Sequence, residues 1–233
     1  MKKIIMILLI VFFLVGCSET KELKTDAVKF KEEYEALNDK ETSYGDNTYR
    51  TLAIEDDNPI IYKEASDILE MIDDGKTFAV YFGFASCPWC RSVISNLIDV
   101  SNDLKIETIY YVDVKEIRDT LKLNEDGNVV TEQKGTDDYY ELLEKLETVL
   151  EDYTLTDENG NEINTEEKRI YAPNIVSVVN GVPTKMTTGI SDKQTDAYME
   201  LTEEITNESY DKIKCTIECV VEEKEVCTVD KKC

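Results

Sequence analysis

Cys87-Pro88-Trp89-Cys90 is the stretch whose residue types and spacing carry chemistry. Two thiols in a C-x-x-C arrangement at the start of a helix are not equivalent. The first lies beside orphan backbone N–H groups and the positive end of the helix dipole, which favour its thiolate. The second follows within the first turn, placed to attack a mixed disulfide formed on the first. Cys87 is therefore read as the nucleophile and Cys90 as its resolving partner. Pro88 suits the first helical turn, and Trp89 shields one flank. The same spacing also serves structural disulfides and half-sites for zinc. Zinc takes about four ligands, however, and the chain has no histidine to complete such a set. The other cysteines lack the C-x-x-C spacing, so redox chemistry is the preferred reading, with no metal and no other cofactor expected. Lack of histidine also argues against Ser-His and Cys-His catalysis.

The pair needs a strand before it and a helix behind it, and the sequence supplies both. Residues 77–84 form a nearly continuous apolar, β-favouring run, read as a central strand buried on both faces. Residues 91–104 carry Val93, Ile94, Leu97, Ile98 and Leu104 on one helical stripe. Around this unit the expected elements are a first strand at 48–54, a helix at 62–74 closed by Gly75, and a buried strand at 106–114. A short helix at 116–122, a loop or hairpin around Asp126-Gly127-Asn128 and a helix at 137–150 follow. Next come a hairpin turning at residues 158–161, a strand at 174–179, a tight turn at Asn180-Gly181 and a strand at 182–188. A final helix is expected at 192–210. Tyr110, Tyr111, Tyr139 and Tyr140 are read as sheet and helix packing. The class is α/β, with a central mixed β-sheet flanked by helices.

Residues Val80 to Arg91, with Ala172-Pro173-Asn174-Ile175-Val176 and Asn180-Gly181 downstream, resemble the thioredoxin superfamily. More narrowly they are similar to thioredoxin-like lipoproteins of Firmicutes, some known as bacteriocin transport accessory proteins. The resemblance covers about residues 49–204. It implies a thioredoxin-like fold in which the bond before Pro173 is cis and Ala172-Pro173 lies against the cysteine pair, leaving backbone groups for an extended peptide. It also implies that Arg91 is the basic residue common after the second cysteine; the residue's alternative reading is a solvated helix side chain. One departure is plain. Thioredoxins have a buried Asp six residues before the nucleophile that moves protons at the resolving cysteine, and here Tyr81 stands there. A phenol with a pKa near 10 is a poor base at neutral pH.

The ends of the chain add a location. Met1-Lys2-Lys3 precedes an uncharged apolar run from Ile4 to Val15, far short of the about 20 residues a membrane-spanning helix needs. Leu14-Val15-Gly16-Cys17 then resembles a lipobox, which implies cleavage after Gly16 and a diacylglyceryl group on Cys17. Two acyl chains suffice for a stable anchor. The expected division is thus a signal peptide at 1–16, a lipid-anchored spacer with a short helix at 17–47, the domain at 48–210 and a cysteine-rich tail at 211–233. With Cys17 acylated, six of the seven cysteines remain, an even number that suits an exported, disulfide-containing protein. Cys215, Cys219, Cys227 and Cys233 permit three connectivities. The nested one, Cys219 with Cys227 and Cys215 with Cys233, is the first choice.

A formal charge of -24 opposes binding to nucleic acid and to anionic lipid headgroups. Together these readings anticipate a thiol-disulfide oxidoreductase at the outer face of the cell membrane. It would act on exported protein or peptide thiols and disulfides and exchange electrons with a membrane partner, in either direction. The competing class is a non-catalytic accessory lipoprotein, for bacteriocin export or peptide binding, whose C-x-x-C bridge is only structural.

Overall fold

The computed structural model describes residues 24–43 and 45–221. The signal segment, Cys17, Cys227 and Cys233 lie outside the described residues, and with them the tail pairing.

The chain forms an α/β fold around a mixed sheet of five strands. In sequence these are β1 (Ile60–Tyr62), β2 (Phe78–Gly83) and β3 (Ile109–Asp113), then two strands that follow the hairpin insertions described below. β1 and β2 both run parallel to β3, in the order β1-β3-β2. Helix α1 (Asp26–Glu35) precedes β1, α2 (Ala65–Asp73) joins β1 to β2, and α3 (Pro88–Leu104) joins β2 to β3. Both connections link parallel strands through a helix, the only short route between strands that point the same way.

Between β3 and the rest of the sheet the chain inserts a hairpin of β4 (Thr120–Leu123) and β5 (Val129–Gln133), helix α4 (Asp137–Leu146), and a second hairpin of β6 (Glu151–Thr156) and β7 (Glu162–Arg169). Strand β8 (Asn174–Val179) then returns antiparallel beside β2, and β9 (Val182–Thr187) closes the edge. The β8–β9 turn is Asn180-Gly181, with φ of 51° and 76°, the primed geometry that matches strand twist. A Cβ on Gly181 would stand 2.4 Å from the Ile72 carbonyl oxygen, so glycine is required there for space as well as for φ. Helix α5 (Glu203–Ile217) ends the described fold, followed by one 3₁₀ turn at Glu218–Val220. The arrangement is compatible with a thioredoxin-like fold.

Burial on both faces of β2 organises two cores. Phe78, Val80 and Phe82 point to one side, where they meet Ile68, Leu69 and Ile72 of α2 and Tyr139, Leu142 and Leu146 of α4. Ala79 and Tyr81 point to the other, where they meet Phe30 and Tyr34 of α1, Val93, Ile94 and Leu97 of α3, and Ile213 and Ile217 of α5. Helix α1 is thus part of the packed body.

Three expected elements are corrected. Residues 48–54 form no strand beyond a single bridge between Glu41 and Thr48. Their alternation is real, since Leu52 and Ile54 are buried, but the backbone is taken up by side chains. Leu52 N–H donates to Asn38 Oδ1 at 2.9 Å, and Ile54 N–H donates to Glu35 Oε1 at 2.7 Å. No helix forms at 116–122, because Thr120–Leu123 pairs with β5 instead. The last helix begins at Glu203, where Thr202 accepts from Ile205 N–H as its N-cap and Glu203 and Glu204 complement the dipole. It continues through Cys215, so residues 211–217, assigned to the tail, are helical and bury Ile213 and Ile217.

The two hairpins are joined by one buried ion pair. Arg169 Nη1 lies 2.8 Å from Asp119 Oδ1, with side-chain exposures of only 7% and 3%. Arg169 also donates to the Asp119 carbonyl and stacks over Tyr153, whose hydroxyl accepts from Leu121 N–H. Removing one member of such a pair strands a buried charge. Asp119→Ala should therefore destabilise the full chain by about 3–5 kcal/mol in urea unfolding. A loss below about 1 kcal/mol would show the pair to be effectively solvated.

Candidate functional site

Cys87 stands at the strand-to-helix junction, four residues past the end of β2 and as the N-cap of α3. An N-cap must supply an acceptor for the orphan N–H groups of the first turn. Here the acceptor is sulfur: Cys90 N–H donates to Cys87 Sγ at 3.2 Å. Pro88 takes the first helical position, where its missing N–H costs nothing. On the opposite side the Cys87 thiol donates to the Ala172 carbonyl at 3.1 Å. The Ala172-Pro173 bond is cis, and Tyr171 N–H beside it is held by Asn174 Oδ1 at 2.6 Å. Two segments separated by 85 residues thus meet at one sulfur.

The two thiols differ in environment. The Cys87 thiol is held below the ordinary cysteine range, chiefly by its hydrogen bond with the Cys90 thiol. Backbone N–H groups of Cys90 and Trp89 and the Arg118 charge act the same way, against the opposing effect of burial. The Cys90 thiol is pushed well up by complete burial and by Cys87 next to it. Cys87 is 5% exposed and Cys90 0%, and only the first lines the groove described below. That asymmetry is what a nucleophile and a resolving partner require.

A groove of about 430 Å³ opens onto Cys87. Pro88, Trp89 and Ala172 line it with Phe84 and Ser86; Arg118, Arg169 and Tyr171 form a second wall, and Asp196, Ala197 and Tyr198 a third. Arg118 extends its guanidinium over the Phe84 ring, 5.0 Å from the centroid. The third wall is the irregular stretch 191–202, where a helix was expected. It is fastened by Gln194, which donates to Ser92 Oγ at 2.8 Å, and by Arg50, which donates to the Met199 carbonyl at 2.6 Å.

Arg91 does not line the groove. It is 1% exposed, which corrects the reading of a solvated helix residue. Its guanidinium donates to the carbonyls of Tyr34 at 2.8 Å and Arg50 at 2.5 and 3.0 Å, and to Asn38 Oδ1 at 2.7 Å. It ties α1 and the chain after it onto α3 directly behind the cysteines. Burial lowers its pKa, but an arginine stays charged.

Sequence reasoning identified Cys87, Pro88, Trp89, Cys90, Ala172 and Pro173, and the structure brings all six together. It missed Arg118 and the 196–198 wall. Arg118 follows the end of β3, where basic residues carry no special signal. Thr202 followed by two glutamates was the available sign that the last helix starts late. Of the remaining predicted residues, Cys215 lies in α5 and the buried Cys219 in the 3₁₀ turn after it, and neither lines the groove.

No family model matches the chain, and none of the curated proteins matches it.

The unequal thiols set a pH dependence. Alkylation needs the thiolate, so the rate at Cys87 should rise with pH and reach its half-point at a lower pH than that of an ordinary free cysteine. Cys90 should stay unmodified over the same range. Mass-spectrometric mapping of the reduced protein with iodoacetamide checks both; equal labelling of the two cysteines would contradict the geometry.

Proposed function

We propose that the chain is a membrane-anchored thiol-disulfide oxidoreductase with a thioredoxin-like fold, using Cys87 and Cys90 on exported proteins or peptides. The observation that carries this reading is the placement of Cys87 Sγ. It caps α3, accepts from Cys90 N–H, faces Ala172 beside a cis proline and forms the floor of an open groove. A purely structural bridge needs none of these.

In the reductive direction the Cys87 thiolate attacks one sulfur of a substrate disulfide. An S–S bond forms between Cys87 and that sulfur, and the other sulfur leaves as a thiolate that takes a proton from water. The Cys90 sulfur then attacks Cys87 Sγ. The Cys87–substrate bond breaks, the Cys90 proton is lost, and the departing thiolate is protonated in turn. The substrate gains two electrons and two protons while the pair becomes a disulfide, which a dithiol donor must reduce again. Oxidation of a substrate dithiol is the same sequence reversed. Arg118 acts on the first step, since a positive charge near Cys87 favours its thiolate.

The groove suits an extended peptide: it is open, part apolar through Phe84, Pro88 and Trp89, and flanked by both signs of charge. The lipobox-like Leu14-Val15-Gly16-Cys17 supports a lipid on Cys17 and a position at the outer face of the cell membrane. There a membrane protein is the natural electron partner.

The reduction potential of the full chain tests this reading. Equilibration against thiol buffers of defined poise should give a value between about -270 and -120 mV. A pair that remains oxidised below about -300 mV would be a structural bridge, and the accessory-lipoprotein reading would take its place.

A further inference from the structure

The two cations on the second wall of the groove differ in their commitments. Arg169 is matched by Asp119 at 2.8 Å. Arg118 lines the same wall and is only partly buried. Among the described residues its guanidinium makes no ion pair and no hydrogen bond, and its one side-chain contact of this kind is the Phe84 ring. An arginine cannot shed its proton, so a charged, planar fork of N–H donors stands open on the groove.

That fork is held by its neighbours in the chain. Arg118 N–H donates to the Val114 carbonyl at 3.2 Å, the Ile117 carbonyl accepts from Thr136 N–H at 2.8 Å, and Asp119 is locked in the buried pair. The guanidinium lies 5.0 Å from the Phe84 centroid. The Phe84 carbonyl in turn accepts from Cys87 N–H at 3.1 Å, closing the turn that delivers the reactive sulfur. Two anchored turns therefore bring the cation and Cys87 to one groove. On the third wall the exposed Asp196 makes no ion pair with Arg118 among the described residues; its Oδ1 accepts from Tyr198 N–H at 2.7 Å.

We propose that Arg118 is a specificity-determining residue that selects substrates with a carboxylate side chain next to the reactive sulfur, that is, exported chains in which Asp or Glu flanks the cysteine. This rests on the dithiol chemistry proposed above and names its substrate class. The two oxygens of a carboxylate match the guanidinium fork, and a partly enclosed groove strengthens their attraction relative to open water. Asp196 repels the same group, which turns it toward the Arg118 wall. The preference runs against the molecule as a whole. A formal charge of -24 repels acidic chains at long range, so selection in their favour must come from a cation at the site itself.

The full-length reduced protein is mixed with symmetric disulfides of a peptide blocked at both ends, whose single cysteine is flanked on each side by glutamate or, in the control, by glutamine. Blocked ends leave the side chains as the sole carboxylates. At an ionic strength of about 0.15 M, where charges beyond about 8 Å are largely screened, the loss of reduced protein is followed by mass spectrometry after acid quenching. Arg118→Met keeps the apolar stem over Phe84. It should slow both peptides, because the Cys87 thiolate loses a favouring charge, but this cancels in the glutamate-to-glutamine rate ratio, as does the intrinsic reactivity of each peptide. That ratio should fall about three- to fivefold from its wild-type value, and Asp196→Asn should raise it. A ratio that Arg118→Met leaves unchanged, or that Asp196→Asn lowers, would overturn the assignment. Failure of the wild-type protein to react with either peptide would instead overturn the dithiol reading beneath it.

Discussion

The site depends on one constraint: the chain must leave β2, a strand buried on both faces, and begin α3 after a single tight turn closed by the Cys87 N–H on the Phe84 carbonyl. A helix start exposes N–H groups that need acceptors, and at this start the acceptor is the sulfur of Cys87. A side chain that caps a helix cannot point elsewhere. The Cys87 sulfur is therefore aimed by the same bond that stabilises the helix and helps to lower its pKa, while Cys90, inside the first turn, is carried into the core. Reactivity at one cysteine and shelter at the other follow from a single backbone transition.

Behind that transition sits Arg91, and its partners explain why the region before β1 belongs to the body. Its described hydrogen-bond acceptors are backbone carbonyls and one amide oxygen. A buried guanidinium without a carboxylate is tolerable only when its donors are met by several dipoles, because desolvation otherwise dominates. Those dipoles come from α1, the 50s segment and the turn before Cys87, so the cation keeps three pieces of chain in register. Tyr34 contributes twice, through its carbonyl to Arg91 and its hydroxyl to Tyr81.

Much of the sheet was legible in the sequence because burial leaves a pattern. The continuous apolar run of β2, the stripe of α3 and the Asn180-Gly181 turn each state a local rule that the fold obeys. The misreadings share a cause. Leu52 and Ile54 alternate as a strand would, yet Asn38 and Glu35 satisfy their N–H groups, and no local pattern distinguishes a side-chain acceptor from a neighbouring strand. The stretch 191–202 has enough polar residues to pass for a helix surface, but its role is to be pinned by Gln194 and Arg50 as a wall of the groove. In the site, spacing revealed the cysteines; Arg118 and Tyr198 arrive from distant parts of the chain and carry no signal until the sheet is assembled.

The burial of α1 also limits geometry on the proposed lipid anchor. If Cys17 is held at the membrane surface, the chain from there to Asp26 can extend at most about 30 Å at the reach of ~3.3–3.6 Å per residue. Beyond that point Phe30 and Tyr34 are locked in the core. With such an anchor the body would stay close to the bilayer, although its charge of -24 opposes contact with anionic headgroups. On that proposal a domain tethered so closely would keep the groove over Cys87 within reach of a partner in the same membrane.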